Sequence, residues 1–141
     1  DELRNHVSLP ILIKGILHPE DAKLAVEQGI DGIIVSNHGG RQLDGVIASI
    51  DALPGIVEAI DGRIPVLFDS GIRRGSDAVK ALALGASAVC IGRPFVWGLA
   101  AGGQLGVERV LENLLQETKV SISLAGVRNM KELQHMMVTK E

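Results

Sequence analysis

Apolar and polar positions along this chain fall into two alternating textures. Short runs rich in β-branched residues occupy Leu9–Gly15 ("LPILIKG"), Gly29–Asn37 ("GIDGIIVSN"), Arg63–Gly71 ("RIPVLFDSG") and Ala86–Arg93 ("ASAVCIGR"). None alternates apolar with polar residues, so each predicts a strand of a parallel sheet, buried on both faces. Helical patterns lie between them. "HPEDAKLAVEQG" has Pro19 near the first helical position, acids in the first turn and Gly29 as the stop. "SDAVKALALG" predicts a helix capped by Ser76 and ended by Gly85, and "IASIDALPGIVEAIDG" a third segment interrupted at Pro54-Gly55. "GVERVLENLLQETKVSISLAG" and "NMKELQHMM" predict terminal helices, with Met130, Met136 and Met137 covering apolar surface in the last.

The resulting order is β-α-β-α-β-α-β-α, and "ALGASAVCIG" echoes the texture of "EQGIDGIIVS". Repeated βα units of this kind build either a doubly wound sheet or a (β/α)8 barrel, and about four strands make half of a barrel. No linker or low-complexity stretch divides residues 1–141, so one α/β domain is expected. Polar and glycine residues cluster after every strand, where both architectures place ligands.

Composition narrows the function classes. The 141 residues are 46% hydrophobic and 22% charged, as in globular proteins generally. A net charge of -3 with no Lys/Arg cluster argues against a nucleic-acid partner. No apolar run approaches the roughly 20 residues needed to cross a bilayer, and "DELRNHVSLP" lacks a signal-peptide pattern. Cys90 is the single cysteine, which excludes an internal disulfide and fits a reducing, cytoplasmic setting. His6, His18 and His135 have no second ligand at metal spacing, so no metal site is expected. Seventeen glycines crowd the ends of the apolar runs, where backbone turns sharply or approaches a ligand.

The candidate chemistry lies at those ends. Lys14 closes the first strand, offering a fixed cation for an electron-rich ring or, more blandly, snorkelling to water. "SNHGGRQLD" follows the second. His38 is suited to move a proton near neutral pH, and Arg41 carries a fork that binds a carboxylate through two hydrogen bonds. A proton acceptor beside a carboxylate clamp suits chemistry at the carbon next to a carboxylate, while "SNHGG" is not a nucleophilic serine elbow. "FDSGIRRGSD" brings Asp69, Gly71 and Arg73 to the third strand end, and "IGRPF" brings Gly92 and Arg93 to the fourth. Glycine plus arginine at two such ends suggests a phosphate grip; solvated surface charge at Arg73, Arg74 and Arg93 is the plainer alternative. Cys90 and Trp97 are expected to pack rather than react.

"LPILIKGILHPEDAKLAVEQGIDGIIVSNHGGRQLD", "PVLFDSGIRRGSDAVKALALGA" and "IGRPFVWGLA" closely resemble the C-terminal half of the FMN-dependent α-hydroxy-acid oxidases and dehydrogenases. The "DSG" form is more similar to the lactate-oxidase branch than the common "DGG". The resemblance implies a partial (β/α)8 barrel, FMN as cofactor, and oxidation of an L-2-hydroxy acid to the 2-keto acid. It implies His38 as the base, Arg41 as the holder of the substrate carboxylate, and Lys14 at the flavin N1/O2 edge. Ser36 would lie near the flavin and its ribityl chain, with His38 and Gly39 beside the cofactor. Asp69, Ser70, Gly71 and Arg73 would make ribityl and phosphate contacts, and Gly92 and Arg93 the phosphate loop.

The family barrel also uses N-terminal strands that carry substrate-binding tyrosines and an aspartate orienting the base. This chain has no tyrosine, and Asp44 is the carboxylate nearest His38 in sequence without a supported role. The expected partners are therefore the missing barrel half or a second copy, in a family that is often tetrameric. The competing expectation is a half barrel that binds FMN or phosphate, or self-associates, without turnover. Other phosphate-binding barrels, such as inosine-monophosphate dehydrogenase, do not need the carboxylate clamp of "HGGRQLD".

Overall fold

The computed structural model describes residues 2–134 and Val138. Its centre is a four-stranded sheet of β1 (Leu12–Ile16), β2 (Gly32–Val35), β3 (Val66–Phe68) and β4 (Ala88–Val89). All pairings are parallel, and the spatial order β1-β2-β3-β4 is the chain order. A doubly wound sheet reverses direction at a switch point. Here successive strands always add on the same side, which is the winding of a β/α barrel. The crossovers are α2 (Pro19–Glu27), α3 (Ser49–Ile60) and α4 (Gly75–Ala83), preceded by the short α1 (Glu2–His6).

The core lies between the sheet and these three helices. Ile33, Val35, Val66 and Phe68 from the sheet meet Ala22 and Ala25 of α2, Leu53, Ile56 and Ile60 of α3, and Ala78 and Ala81 of α4. Alanines at helical spacing let α2 and α4 approach the sheet closely. The larger residues of α3 supply most of the apolar volume, each stabilising by about 1.5–3 kcal/mol when fully buried.

Four sequence expectations need correction. β2 and β3 are largely buried as predicted, whereas β1 and β4 are the two edges of the sheet, with Leu12 and Ile13 exposed at 41% and 37% and Ala88 also exposed. The Pro54-Gly55 pair does not interrupt α3. Pro54 sits exposed on the outer face while Ala52, Leu53, Ile56 and Ile60 bury the inner one, so packing holds the helix together. Ser76 does not cap α4, which begins at Gly75; Asp77 reaches back instead, its Oδ2 accepting from the N–H groups of Arg73 and Arg74.

The fourth concerns the C-terminal helices. α5 starts directly after β4 and spans Arg93–Leu124, broken at Gly102 and Gly103 by non-helical backbone. A Cβ on Gly98 would stand 2.6 Å from the carbonyl oxygen of Gly106. Eight residues of unbroken helix would separate them by roughly 12 Å, so the two arms of α5 fold against each other. α6 is a single turn, Met130–Leu133, and His135, Met136 and Met137 lie outside the described residues. Among the described residues no helix is long and apolar enough to cross a membrane.

Candidate functional site

The C-terminal ends of all four strands open into one cleft of about 330 Å³. Lys14, His38, Arg41, Asp69, Arg73 and Arg93 line it, together with Gly39, Ser70, Gly71, Gly92 and Cys90. Residues picked from four separate stretches of sequence are thus brought together.

The strand ends are tied by a closed set of hydrogen bonds. Lys14 Nζ donates to Ser36 Oγ at 2.8 Å and pairs with Asp69 Oδ2 at 2.8 Å. Ser70 Oγ donates to Asp69 Oδ1 at 2.9 Å and accepts from the Gly39 N–H at 2.9 Å. Ser36 Oγ also accepts from the His38 N–H at 3.0 Å, and Ser49 Oγ from the Asn37 N–H at 2.8 Å. Gly40 N–H closes the turn onto Asn37. Three serines on three different elements therefore hold three successive N–H groups of the histidine loop.

That loop is conformationally unusual. His38 has φ +56° and Ser70 φ +77°. Left-handed backbone costs a residue with a Cβ about 1–2 kcal/mol, and such outliers persist where surrounding bonds over-determine them. Gly15, at φ +100°, forms a bulge in β1 between Lys14 and Ile16. A Cβ there would lie 2.9 Å from His38 Cε1, so the imidazole packs on a spot that only glycine leaves open.

Burial penalises the charged form of Asp69, but it is outweighed together by hydrogen bonds from Lys14, Ser36 and Ser70 and by the lysine's charge. The net effect holds the carboxyl below its ordinary range. Across the cleft, Arg41, Arg73 and Arg93 make no ion pair among the described residues. Arg93 Nη2 donates to the Gly39 carbonyl at 2.8 Å, and Arg73 lies over the Trp97 ring, 5.6 Å from its centroid. The cleft is thus rich in cations without carboxylate partners, the electrostatic setting of an anion site.

Some assignments shift. Ser36 is fully buried and does not line the cleft; its hydroxyl serves Lys14 and the His38 backbone instead. Arg74 turns away from the cleft toward Glu117, at 3.7 Å. Trp97 is 52% exposed beneath Arg73 rather than packed in the core, and Cys90 faces the cleft. Asp44 does not line the cleft, and among the described residues no hydrogen bond reaches the His38 ring. Ser49 escaped sequence reasoning altogether.

A barrel-type sheet with a cationic, glycine-lined mouth fits a phosphate-bearing cofactor. Added Cβ atoms at Gly71 and Gly92 would meet nothing within 4 Å, so backbone at two strand ends lies open to a ligand. Comparison with known proteins makes the assignment specific. The family of FMN-dependent dehydrogenases matches residues 1–140. An L-lactate oxidase of Lysinibacillus sphaericus (strain C3-41) is 64% identical over 139 residues, covering 99% of this chain and 36% of that protein. The 2-hydroxyacid oxidase 1 of Homo sapiens is 54% identical over 138 residues, 98% of this chain and 37% of that one. Among solved structures, the Pediococcus acidilactici lactate oxidase superposes with a TM-score of 0.93 at 46% identity, covering 96% of this chain and 38% of its own. A mandelate oxidase with (S)-2-phenylpropionate gives 0.91 at 52% identity, over 94% and 40%.

The chain belongs to the FMN-dependent α-hydroxy-acid oxidase and dehydrogenase family. It spans a little over a third of the length of the curated relatives it matches. FMN is the family's cofactor, and the open glycines of the cleft, with arginines that make no ion pair among the described residues, fit its phosphate.

Proposed function

We propose that residues 1–141 form one partial barrel domain of an L-2-hydroxy-acid oxidase of the lactate or glycolate type. The observation that carries this reading is that His38 and Arg41 face the same cleft as Lys14, Arg73 and Arg93. Arg41 binds the substrate carboxylate through its guanidinium fork. His38 takes one of the two protons that leave as the hydroxy acid becomes a keto acid. Lys14, fixed by Ser36 and Asp69, presents positive charge where electron density accumulates. Asp69 and Ser70 offer polar contacts to a polyol chain. Arg73 and Arg93, with the backbone at Gly71 and Gly92, hold the phosphate. FMN, when bound, supplies the two-electron acceptor.

Turnover in this reading needs the remaining barrel strands as partner, because β1 leaves Leu12 and Ile13 exposed. A second copy of the chain covering that face is the alternative and favours flavin binding without turnover. A native mass spectrum separates them by showing either a complementary fragment or copies of this chain alone. The single cysteine supports a reducing setting such as the cytoplasm.

Anaerobic stopped-flow reduction of the FMN-loaded protein tests the chemistry. His38→Ala should abolish flavin reduction by L-lactate or glycolate with FMN still bound, and Arg41→Ala should chiefly raise the substrate concentration required. Equal reduction rates in wild type and His38→Ala would sink the assignment.

A further inference from the structure

Helix N-termini attract anions because their first N–H groups lack intrahelical partners. The N-terminus of α4 follows directly on Arg73, beside the cleft, and would be an obvious seat for a phosphate. In this chain carboxylates already hold its first N–H, that of Gly75, and the two N–H groups that precede it. Asp77 Oδ2 accepts from the Arg73 N–H at 3.0 Å and from the Arg74 N–H at 2.9 Å. Glu117, on the second arm of α5, accepts from the Gly75 N–H through Oε2 at 2.8 Å. Its Oε1 lies 3.7 Å from Arg74 Nη1. Three successive N–H groups are thus clamped by two carboxylates from different helices.

The clamp is sterically built in. A Cβ at Gly75 would overlap the backbone of Glu117 and Thr118, so α4 and α5 meet backbone to backbone there. Neither Asp77 nor Glu117 lines the cleft, whereas Arg73, whose N–H the clamp holds, does. The Arg73 guanidinium leaves the clamp toward the cleft and rests against Trp97.

We propose that Asp77 and Glu117 are positioning residues for cofactor selection. They hold the backbone from Arg73 to Gly75 so that the Arg73 guanidinium, with Arg93, grips the FMN phosphate. This inference rests on the FMN reading above. It concerns the phosphate alone, so riboflavin, which lacks the phosphate, is the internal control.

The test is fluorescence titration of FMN and of riboflavin into the flavin-free protein assembled with its remaining barrel strands. Wild type should prefer FMN, and Arg73→Ala should lose much of that preference. Asp77→Ala and Glu117→Ala should lower the FMN-to-riboflavin affinity ratio about tenfold with riboflavin affinity unchanged. Asp77→Asn and Glu117→Gln keep an acceptor oxygen and should retain the wild-type ratio. An unchanged or increased ratio in the alanine variants overturns the proposal; an increase would mean the uncovered helix end binds phosphate itself. Equal loss of both flavins in Asp77→Ala also overturns it, since the carboxylate then supports the fold and not the grip. So does an asparagine variant as impaired as the alanine one. Wild type with no preference for FMN would instead refute the underlying reading of the phosphate site.

Discussion

Gly15→Ala tests the placement of His38 without touching a titratable group. Gly15 has φ +100°, where a residue with a Cβ is strained, and the new Cβ would lie 2.9 Å from His38 Cε1. Carbon atoms pack at about 3.5–4.0 Å, so the ring must retreat by roughly 0.6–1 Å. The backbone strain costs about 1–2 kcal/mol. The ring belongs to an exposed loop side chain, so it yields at little further cost in stability. Its displacement is the functional consequence, since misplacing a reacting group by about 1 Å can cost 10²-fold in rate. The expected outcome is a lower thermal midpoint, near-normal FMN affinity, and flavin reduction slowed by about ten- to a hundredfold. Stopped-flow reduction and FMN titration on the same preparation separate these effects. A folded variant that reduces its flavin at the wild-type rate would refute the idea that the imidazole must sit against Gly15 to act.

Ser49→Ala should destabilise by about 1–3 kcal/mol, because the Asn37 N–H loses its acceptor in a buried setting. Ser49→Thr, which keeps the hydroxyl, should recover most of that in urea denaturation, and identical midpoints for alanine and wild type would contradict the loop's dependence on it. Gly75→Ala should cost about 1–3 kcal/mol or more through backbone overlap with α5, measurable as a depressed melting temperature. Asp69 has a lowered carboxyl pKa in the fold, so its stabilisation is complete above the ordinary carboxylate range. It is lost as pH falls through the lower folded-state value. Acid titration of stability in wild type and Asp69→Asn should therefore converge at low pH, and a constant gap between the two curves would show that Asp69 does not act through its charge.

The cleft was legible in the sequence because a parallel sheet writes its strands as unbroken apolar runs and its ligand residues at their ends. Lys14, His38, Asp69 and Arg93 could each be placed at a strand end from the run that precedes it. What supports them could not. Ser49 reaches Asn37 from the first turn of α3, and Glu117 reaches Gly75 from the far arm of α5. Such bonds depend on how helices settle on the sheet, and an isolated serine or glutamate in a helical pattern gives no sign of them. Other misses had a signal. Pro94 after Gly92-Arg93 is a helix-start pattern, which would have set the beginning of α5 at the fourth strand end. Pro54 was a true conflict between local and tertiary preference, resolved by the buried face of α3.

Two residues in this cleft, His38 and Ser70, have Cβ atoms and left-handed backbone, and the hydrogen bonds show why they tolerate it. Ser36 anchors the His38 N–H, while the Ser70 hydroxyl bridges Asp69 and the Gly39 N–H. Gly39 then passes its carbonyl to Arg93, where a Cβ would stand 2.7 Å from Nη2. One peptide segment thus carries the proposed base, is braced from the end of β3, and receives the proposed phosphate cation from the end of β4. A disturbance at any of these strand ends reaches His38 through backbone no more than one residue away. Substitutions around the cleft should therefore be judged by flavin reduction as well as by stability, because a shift too small to unfold the sheet is large on the scale of proton transfer.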